Sequence, residues 1–258
     1  MKYIYGPVSS WRLGSSLGID LLSQKKRICT FDCIYCQLGR ERDYEIERKV
    51  YVPTREVIEE LERLPQTGID YITLSGRGEP TLAQNLGEAI KAIKVIRKEP
   101  VAVLTNASLI IKDEIRKELS LADFVSVKLD ASSRESYELI NKPAPGIKFE
   151  AIINGIKQFR KEYRGRFGLQ IMFIGQNKAN ATELAKLAFE INPDEVQLNT
   201  PLRPCETKPL FKEEISLIEG YFKGLNVVSV YDGKHKDVRP ISLKDTSKRR
   251  GVLGGVPS

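Results

Sequence analysis

Cysteine, histidine, methionine and tryptophan are all scarce in this chain: four, one, two and one among 258 residues. Three of the four cysteines crowd one short stretch, so they make no disulfide framework, and reduced thiols suit a cytosol. A four-ligand zinc site lacks an obvious fourth ligand, because Cys205 and the lone His235 are both remote from that stretch in sequence. No apolar run approaches the roughly 20 residues of a membrane span. No basic, apolar and small-residue succession of a secretory signal opens the chain either. These absences exclude membrane and secreted classes, and a cytoplasmic location is expected. Repeats and low-complexity stretches are also missing. The low histidine and methionine, set beside many Lys, Glu, Arg and Ile, form a composition that suits a thermophile.

What is present describes a globular chain. It is 41% apolar and 29% charged, and its length fits one α/β barrel. The net charge is +7 and the sequence pI about 9.1. Basic residues concentrate at Lys25-Lys26-Arg27, Lys234-His235-Lys236 and Lys248-Arg249-Arg250. Such a surface attracts polyanions, with RNA or an acidic protein as the partner; ordinary solvated surface and a mobile, loosely ordered basic tail explain the same charges.

Strand-length apolar runs alternate with segments of helical period, the pattern of a parallel sheet with crossover helices. Strands are expected at 17–22, 71–74, 101–104, 124–129, 168–174 and 195–198. A helix opens at Pro53-Thr54, with Thr54 as its cap, and carries Val57, Ile58, Leu61 and Leu64 on one face. Further helices are expected over 86–96, around Ile115 and Leu119, over 149–163, and around Leu184 to Ala188. Six β/α units result. Beyond residue 200 come a Pro-rich loop, a helix near 211–221 and a strand at 227–230.

The most informative residues are Cys29, Cys33 and Cys36, in Cys29-Thr-Phe-Asp-Cys33-Ile-Tyr-Cys36. Three thiolates so close can hold three corners of one metal centre, and a four-iron cube bound that way keeps one iron open to a non-protein ligand. In a parallel α/β barrel, functional groups gather at the C-terminal ends of the strands. The cysteines follow the first strand, and Ser75-Gly76-Arg77-Gly78-Glu79-Pro80 follows the second. Thr105-Asn106 follows the third, and Lys128 and Asp130 end the fourth. Ser126, Lys128 and Asp130 share one strand face. Gln170 and Met172 lie on the fifth strand, Gln197 and Asn199 on the sixth.

The cysteine spacing, with Tyr35 just before the third Cys, resembles the signature of the radical S-adenosylmethionine (AdoMet) superfamily. Gly78-Glu79-Pro80 is similar to that superfamily's Gly-Gly-Glu-Pro motif, with Arg77 inserted between Gly76 and Gly78. The segments 5–18, 33–39, 78–81 and 198–201 resemble a group of these proteins beside the tRNA wyosine-base synthases. Those enzymes carry a second cluster, for which this chain lacks the cysteines. The resemblance covers about residues 3–210.

It implies an open, partial (β/α)6 barrel over 1–200 with a short C-terminal extension over 201–258. It further implies a [4Fe–4S] cluster on Cys29, Cys33 and Cys36, AdoMet as cofactor, and a low-potential electron donor such as flavodoxin or ferredoxin. Ser75, Gly76, Gly78 and Glu79 then hold the methionine amino group. Asn106, Lys128 and Asp130 face its carboxylate and the ribose, while Met172 and Asn199, with Gln170 and Gln197, line the adenine side, which Tyr35 also contacts. Helix capping and turns explain Asn106 and Asp130 equally well, an inward Met is ordinary core, and Tyr35 is also readable as a rim aromatic. Cys205 is either a hydrogen-atom donor or nucleophile at the barrel mouth or a loop thiol without a role. The expected activity is reductive AdoMet cleavage to a 5′-deoxyadenosyl radical that abstracts hydrogen, on RNA or, alternatively, on a protein or peptide. An iron–sulfur electron carrier is the competing class.

Overall fold

The computed structural model describes residues 1–39, 42–65 and 68–250. Its main sheet has eight strands: β1 (Ile4–Ser10), β2 (Gly14–Ile19), β5 (Tyr71–Leu74), β6 (Val101–Thr105), β7 (Phe124–Lys128), β8 (Arg166–Met172), β9 (Glu195–Asn199) and β10 (Val227–Ser229), in that spatial order. A separate parallel pair joins β3 (Arg27–Cys29) to β4 (Arg42–Tyr44). All neighbours in the main sheet run parallel except β1, which pairs antiparallel with β2. Since β1 and β10 are not paired, the sheet is an open, curled partial barrel.

The crossover helices are α1 (Thr54–Glu62), α2 (Leu86–Ile96), α3 (Asp113–Leu119), α5 (Phe149–Glu162) and α6 (Ala181–Ile191); α4 (Arg134–Asn141), α7 (Lys212–Glu219) and α8 (Leu243–Arg250) are additional. The helix-facing side of the sheet is the core: Leu17, Ile19, Ile72, Leu74, Val125, Val127, Leu169 and Ile171 pack with Ile90, Ile93, Ile156, Phe159 and Leu184. Strands covered on a whole face by helices read as near-continuous apolar runs. The concave face is different. Leu13, Ala102 and Phe124 close its lower part, and above them stand polar side chains.

Several expectations are corrected. The first parallel strand is Gly14–Ile19 rather than 17–22, because Asp20 turns out of the sheet to accept from the Leu22 amide at 3.1 Å. β1 adds an antiparallel edge that the apolar pattern hides, since its sequence carries Gly6, Pro7, Ser9 and Ser10. Thr54 is not the α1 cap: Pro53 holds that position, and the Thr54 hydroxyl instead accepts from Asn85 Nδ2 at 2.9 Å. The strand expected at 227–230 joins the main sheet beside β9.

The basic tail is not loose through residue 250. α8 packs on β1, with the Gly6 amide donating to Thr246 Oγ1 at 3.1 Å. Arg249 is buried, 3.3 Å from Asp20, and donates to Ser23 Oγ at 2.7 Å. Residues 251–258 lie outside the described part. Among the described residues, no helix is long and apolar enough to cross a membrane.

Candidate functional site

Cys29 ends β3, and Cys33 and Cys36 follow in a loop. That loop is pinned by backbone bonds: Cys36 N–H to Cys33 O at 2.9 Å, Ile34 N–H to Ile140 O at 3.0 Å, and Asp32 N–H to Asn141 O at 3.0 Å. All four cysteines are free and half-buried. Each of the three clustered sulfurs receives one N–H donor from a different place. Asn106 Nδ2 lies 3.7 Å from Cys29 Sγ, Asn141 Nδ2 3.4 Å from Cys33 Sγ, and Arg27 Nη1 3.1 Å from Cys36 Sγ.

Burial lifts the Cys29 thiol to about 12 and the Cys33 thiol to about 11. A bound metal centre therefore has to supply the positive charge that holds them as thiolates. Among the described residues, no three His, Cys, Asp or Glu side chains gather around a point that could hold a single metal ion. A cluster makes no such demand, because each thiolate meets its own iron. Three thiols with an N–H donor on each sulfur fit an iron–sulfur cluster, whose potential such hydrogen bonds tune.

The glycine motif is strapped directly to the cysteine strand. Ile28 N–H donates to Arg77 O at 3.1 Å and Glu79 N–H to Ile28 O at 3.1 Å. A Cβ on Gly78 would sit 1.7 Å from Ile28 O, and one on Gly76 would sit 2.5 Å from Asp20 Cγ. Both glycines thus permit close approach to protein, and Gly76 adopts a φ of +148° as well. The buried Glu79 carboxylate is surrounded by donors. Oε1 accepts from Thr81 N–H at 3.0 Å, Thr81 Oγ1 at 2.7 Å and Thr105 Oγ1 at 2.6 Å, and Oε2 from Asn106 N–H at 2.6 Å. Burial raises its pKa, opposed by these bonds. Glu79 so ties the ends of β5 and β6 together. Ser75 Oγ is 2.8 Å from the Tyr5 hydroxyl.

Asp130 is equally engaged. It accepts from the Tyr35 hydroxyl, from Asn141 Nδ2 at 3.0 Å and from Met172 N–H at 2.8 Å, with Lys128 Nζ at 3.6 Å. Lys128 Nζ also stands 4.4 Å from the Tyr35 ring centroid. A small cavity bordered by Asn106, Lys128, Asp130, Phe31 and Asn141 opens there. Asn199 Oδ1 accepts from Thr200 N–H at 2.9 Å, and Met172 packs in the cluster of Tyr35, Ile140 and Ile174. Gln170 and Gln197 take up Arg12 on the concave face. Cys205 lines a cavity of about 150 Å³ with Cys33 and Cys36, its Sγ 3.2 Å from Thr207 O.

Two contributors escaped the sequence pattern. Arg27 counts there as part of a basic surface run, yet it is 2% exposed, with Nη2 at 2.8 Å from Asp32. It is therefore unavailable to a phosphate backbone, and the Lys25-Lys26-Arg27 patch loses a member. Asn141 ends α4, an eight-residue helix whose buried apolar face, Tyr137 and Ile140, is too short to stand out in the sequence.

Comparison with known proteins supplies the family. Residues 24–188 match the family model described as the Radical SAM superfamily. A UPF0026 protein of Synechocystis is 43% identical over 81% of this chain and 78% of its own length. A UPF0026 protein of Methanocaldococcus jannaschii is 33% identical over 92% of this chain and 74% of its own. Among solved structures, SuiB of Streptococcus suis, bound to its precursor peptide SuiA, overlays with a TM-score of 0.65. It is 16% identical over 84% of this chain and 49% of that one, a likeness of fold. The chain belongs to the radical SAM superfamily of enzymes, which use a [4Fe–4S] cluster and S-adenosylmethionine.

Proposed function

We propose that this chain generates a substrate radical by reductive cleavage of AdoMet at a cluster held by Cys29, Cys33 and Cys36. When bound, cluster and AdoMet together supply a one-electron cleavage of the sulfonium carbon–sulfur bond, giving methionine and a 5′-deoxyadenosyl radical that takes a hydrogen atom from the substrate. The protein's residues position and shield. Backbone of Ser75, Gly76 and Gly78 faces the methionine amino group, and Glu79 fixes that backbone rather than reaching the ligand itself. Lys128 and the Asn106 side chain face the carboxylate. Tyr35, Met172 and Asn199 border the adenine and ribose, with Asp130 orienting Tyr35. Cys205, which lines one cavity with Cys33 and Cys36, returns a hydrogen atom to the substrate radical in this reading. A flavodoxin- or ferredoxin-type donor supplies the electron.

The observation that carries this reading is the strapping of the glycine motif onto β3, which sets a methionine cradle against the Cys29 corner. An iron–sulfur electron carrier has no use for that cradle. The RNA reading is weaker than the charge count implies, because Arg27 and Arg249 are both buried and paired; the wyosine grouping rests on motif likeness alone.

The test is anaerobic reconstitution followed by reduction. Wild-type protein should hold about four irons per chain and form 5′-deoxyadenosine with dithionite and AdoMet, and Cys33→Ala should lose the iron while keeping the fold. An intact cluster that never yields 5′-deoxyadenosine would leave the electron-carrier class standing.

A further inference from the structure

We propose that Arg12, Arg203 and Arg250 form an anion site on the concave face of the sheet, which holds a small substrate through a phosphate group, or several carboxylates, bearing in total two or more negative charges. This rests on the radical-enzyme reading for the use of the site, though not for its existence.

The three residues come from unrelated parts of the chain: the β1–β2 turn, the loop after β9 and the last described turn of α8. Each hydrogen-bonds only to neutral partners or to none, and Glu195 acts on Arg12 through its charge alone. Arg12 Nη1 donates to Gln170 Oε1 and to Gln197 Oε1, the latter at 3.4 Å, and its Nε is buried without an acceptor. Arg203 Nη1 donates to Gln37 Oε1 at 2.9 Å, and its Nε is likewise buried and unpaired. Arg250 has no hydrogen bond or ion pair among the described residues, and Tyr5 is the one group that favours its charge. The carboxylate on this face, Glu195, is already taken by Arg166 and Gln197.

Burial, joined by the charge of Arg250, lowers Arg12 and Arg203 to about 10, and burial lowers Arg250 as well. A guanidinium stays protonated in a protein, so these directions record charge held together at a cost. Buried charges are ordinarily paired. Among the described residues no carboxylate forms an ion pair with any of the three, and all three remain half-buried, within reach of a solute. Planar guanidiniums match phosphate and carboxylate oxygens two at a time.

The position suits a substrate. Tyr5 is an electrostatic neighbour of all three arginines, and its hydroxyl meets Ser75 of the glycine motif. Gln37, which holds Arg203, follows Cys36 directly. An anionic tail held here leaves the rest of a small molecule beside the cluster and the methionine cradle. A polynucleotide spreads its contacts along a surface, whereas these half-buried charges act on one another and on the one residue Tyr5.

The experiment uses the full chain without its cluster, so that its outcome is independent of AdoMet cleavage. Calorimetric titration at constant ionic strength is run with inorganic phosphate, pyrophosphate, tripolyphosphate and citrate. Saturable binding of at least one of these is expected, and the phosphate and citrate arms tell the two chemistries apart. Arg12→Gln, Arg203→Gln and Arg250→Gln should each weaken it about tenfold or more, while the surface pair Lys25→Gln/Lys26→Gln should not. Arg203→Lys serves where a Gln variant fails to fold, and should also lose affinity because the fork is gone. No saturable binding, equal loss in the surface pair, or affinities within twofold of wild type in all three variants would overturn the site. Bulk tRNA that competes with pyrophosphate and is lost in the same variants would overturn the assignment to a small molecule. Absence of 5′-deoxyadenosine under reduction, with anion binding intact, would instead overturn only the preceding reading.

Discussion

The Arg27 guanidinium bridges a cluster cysteine and a carboxylate: Nη1 stands 3.1 Å from Cys36 Sγ while Nη2 stands 2.8 Å from Asp32 Oδ1. A positive donor on a cluster thiolate stabilises the reduced, more negative state more than the oxidised one. A charge-assisted hydrogen bond is worth about 1.5–3 kcal/mol, and a one-electron couple moves about 59 mV per 1.4 kcal/mol. Only the difference between the two redox states counts, so Arg27→Gln should lower the cluster midpoint potential by on the order of tens of mV. An EPR-monitored redox titration reads this; an unchanged or raised potential would show that Arg27 serves the loop and not the sulfur.

Much of the barrel is legible in the sequence for a physical reason. Val101-Ala-Val-Leu104 and Tyr71-Ile-Thr-Leu74 read as strands because helices cover one face and the barrel interior flanks the other. The edge strand β1 breaks its register between Tyr5 and Val8 and carries Gly6 and Pro7, so no alternation survives. The cysteines and the glycine motif are legible because each is local. The sulfur contacts of Arg27 and Asn141 are not: Arg27 sits in a basic run that reads as surface, and nothing local marks an Asn that reaches a thiol 108 residues away. Arg249 and Arg250 read as a solvated tail because their partners, Asp20 and Tyr5, stand more than two hundred residues earlier.

Gly78 is where a single methyl group should do most damage. Its Cβ would lie 1.7 Å from Ile28 O, a backbone atom that cannot swing aside. Gly78→Ala should therefore push β3 and Cys29 away from the motif, costing about 1–3 kcal/mol or more and reducing iron loading. Gly68→Ala, with nothing within 4 Å of the added carbon, is the matched control. Thermal melts and iron determination on both variants decide it, and full iron loading in Gly78→Ala would contradict the strap.

Asp20 and Arg249 couple the C-terminal helix to the motif, since Asp20 also accepts from Arg77 N–H at 3.3 Å. Breaking such a buried pair costs about 3–5 kcal/mol, the loss expected at neutral pH for Arg249→Gln. Burial raises the Asp20 carboxyl above its ordinary 3.8, against the pull of Arg249. With a raised folded value, the folded protein binds the proton before the unfolded chain does, so the contribution to stability grows as pH falls through that value and levels off near 3.8. Removing Arg249 raises the carboxyl further. Arg249→Gln should hence regain part of its loss between neutral pH and a pH near 3.8, whereas Asp20→Asn/Arg249→Gln should not. Denaturant titrations at the two pH values that show parallel behaviour would refute the coupling.

Asn141 offers the sharpest separation of charge from shape. Its Nδ2 lies 3.4 Å from Cys33 Sγ, 3.1 Å from the Tyr35 hydroxyl and 3.0 Å from Asp130 Oδ2, joining a cluster thiol to the Asp130 network. Asn141→Asp keeps the outline of the side chain but puts a second carboxylate against Asp130 and a third negative group beside the Cys33 thiolate. Like charges at such distances force a proton onto one of them. Cys33, whose thiol burial already lifts to about 11, then competes worse as a ligand. Asn141→Ala removes the donor without adding charge. Iron content and the visible cluster absorption should fall well below wild type in Asn141→Asp and much less in Asn141→Ala. Equal losses in the two variants would mean that packing at the end of α4, and not the electrostatics around Cys33, is what Asn141 provides.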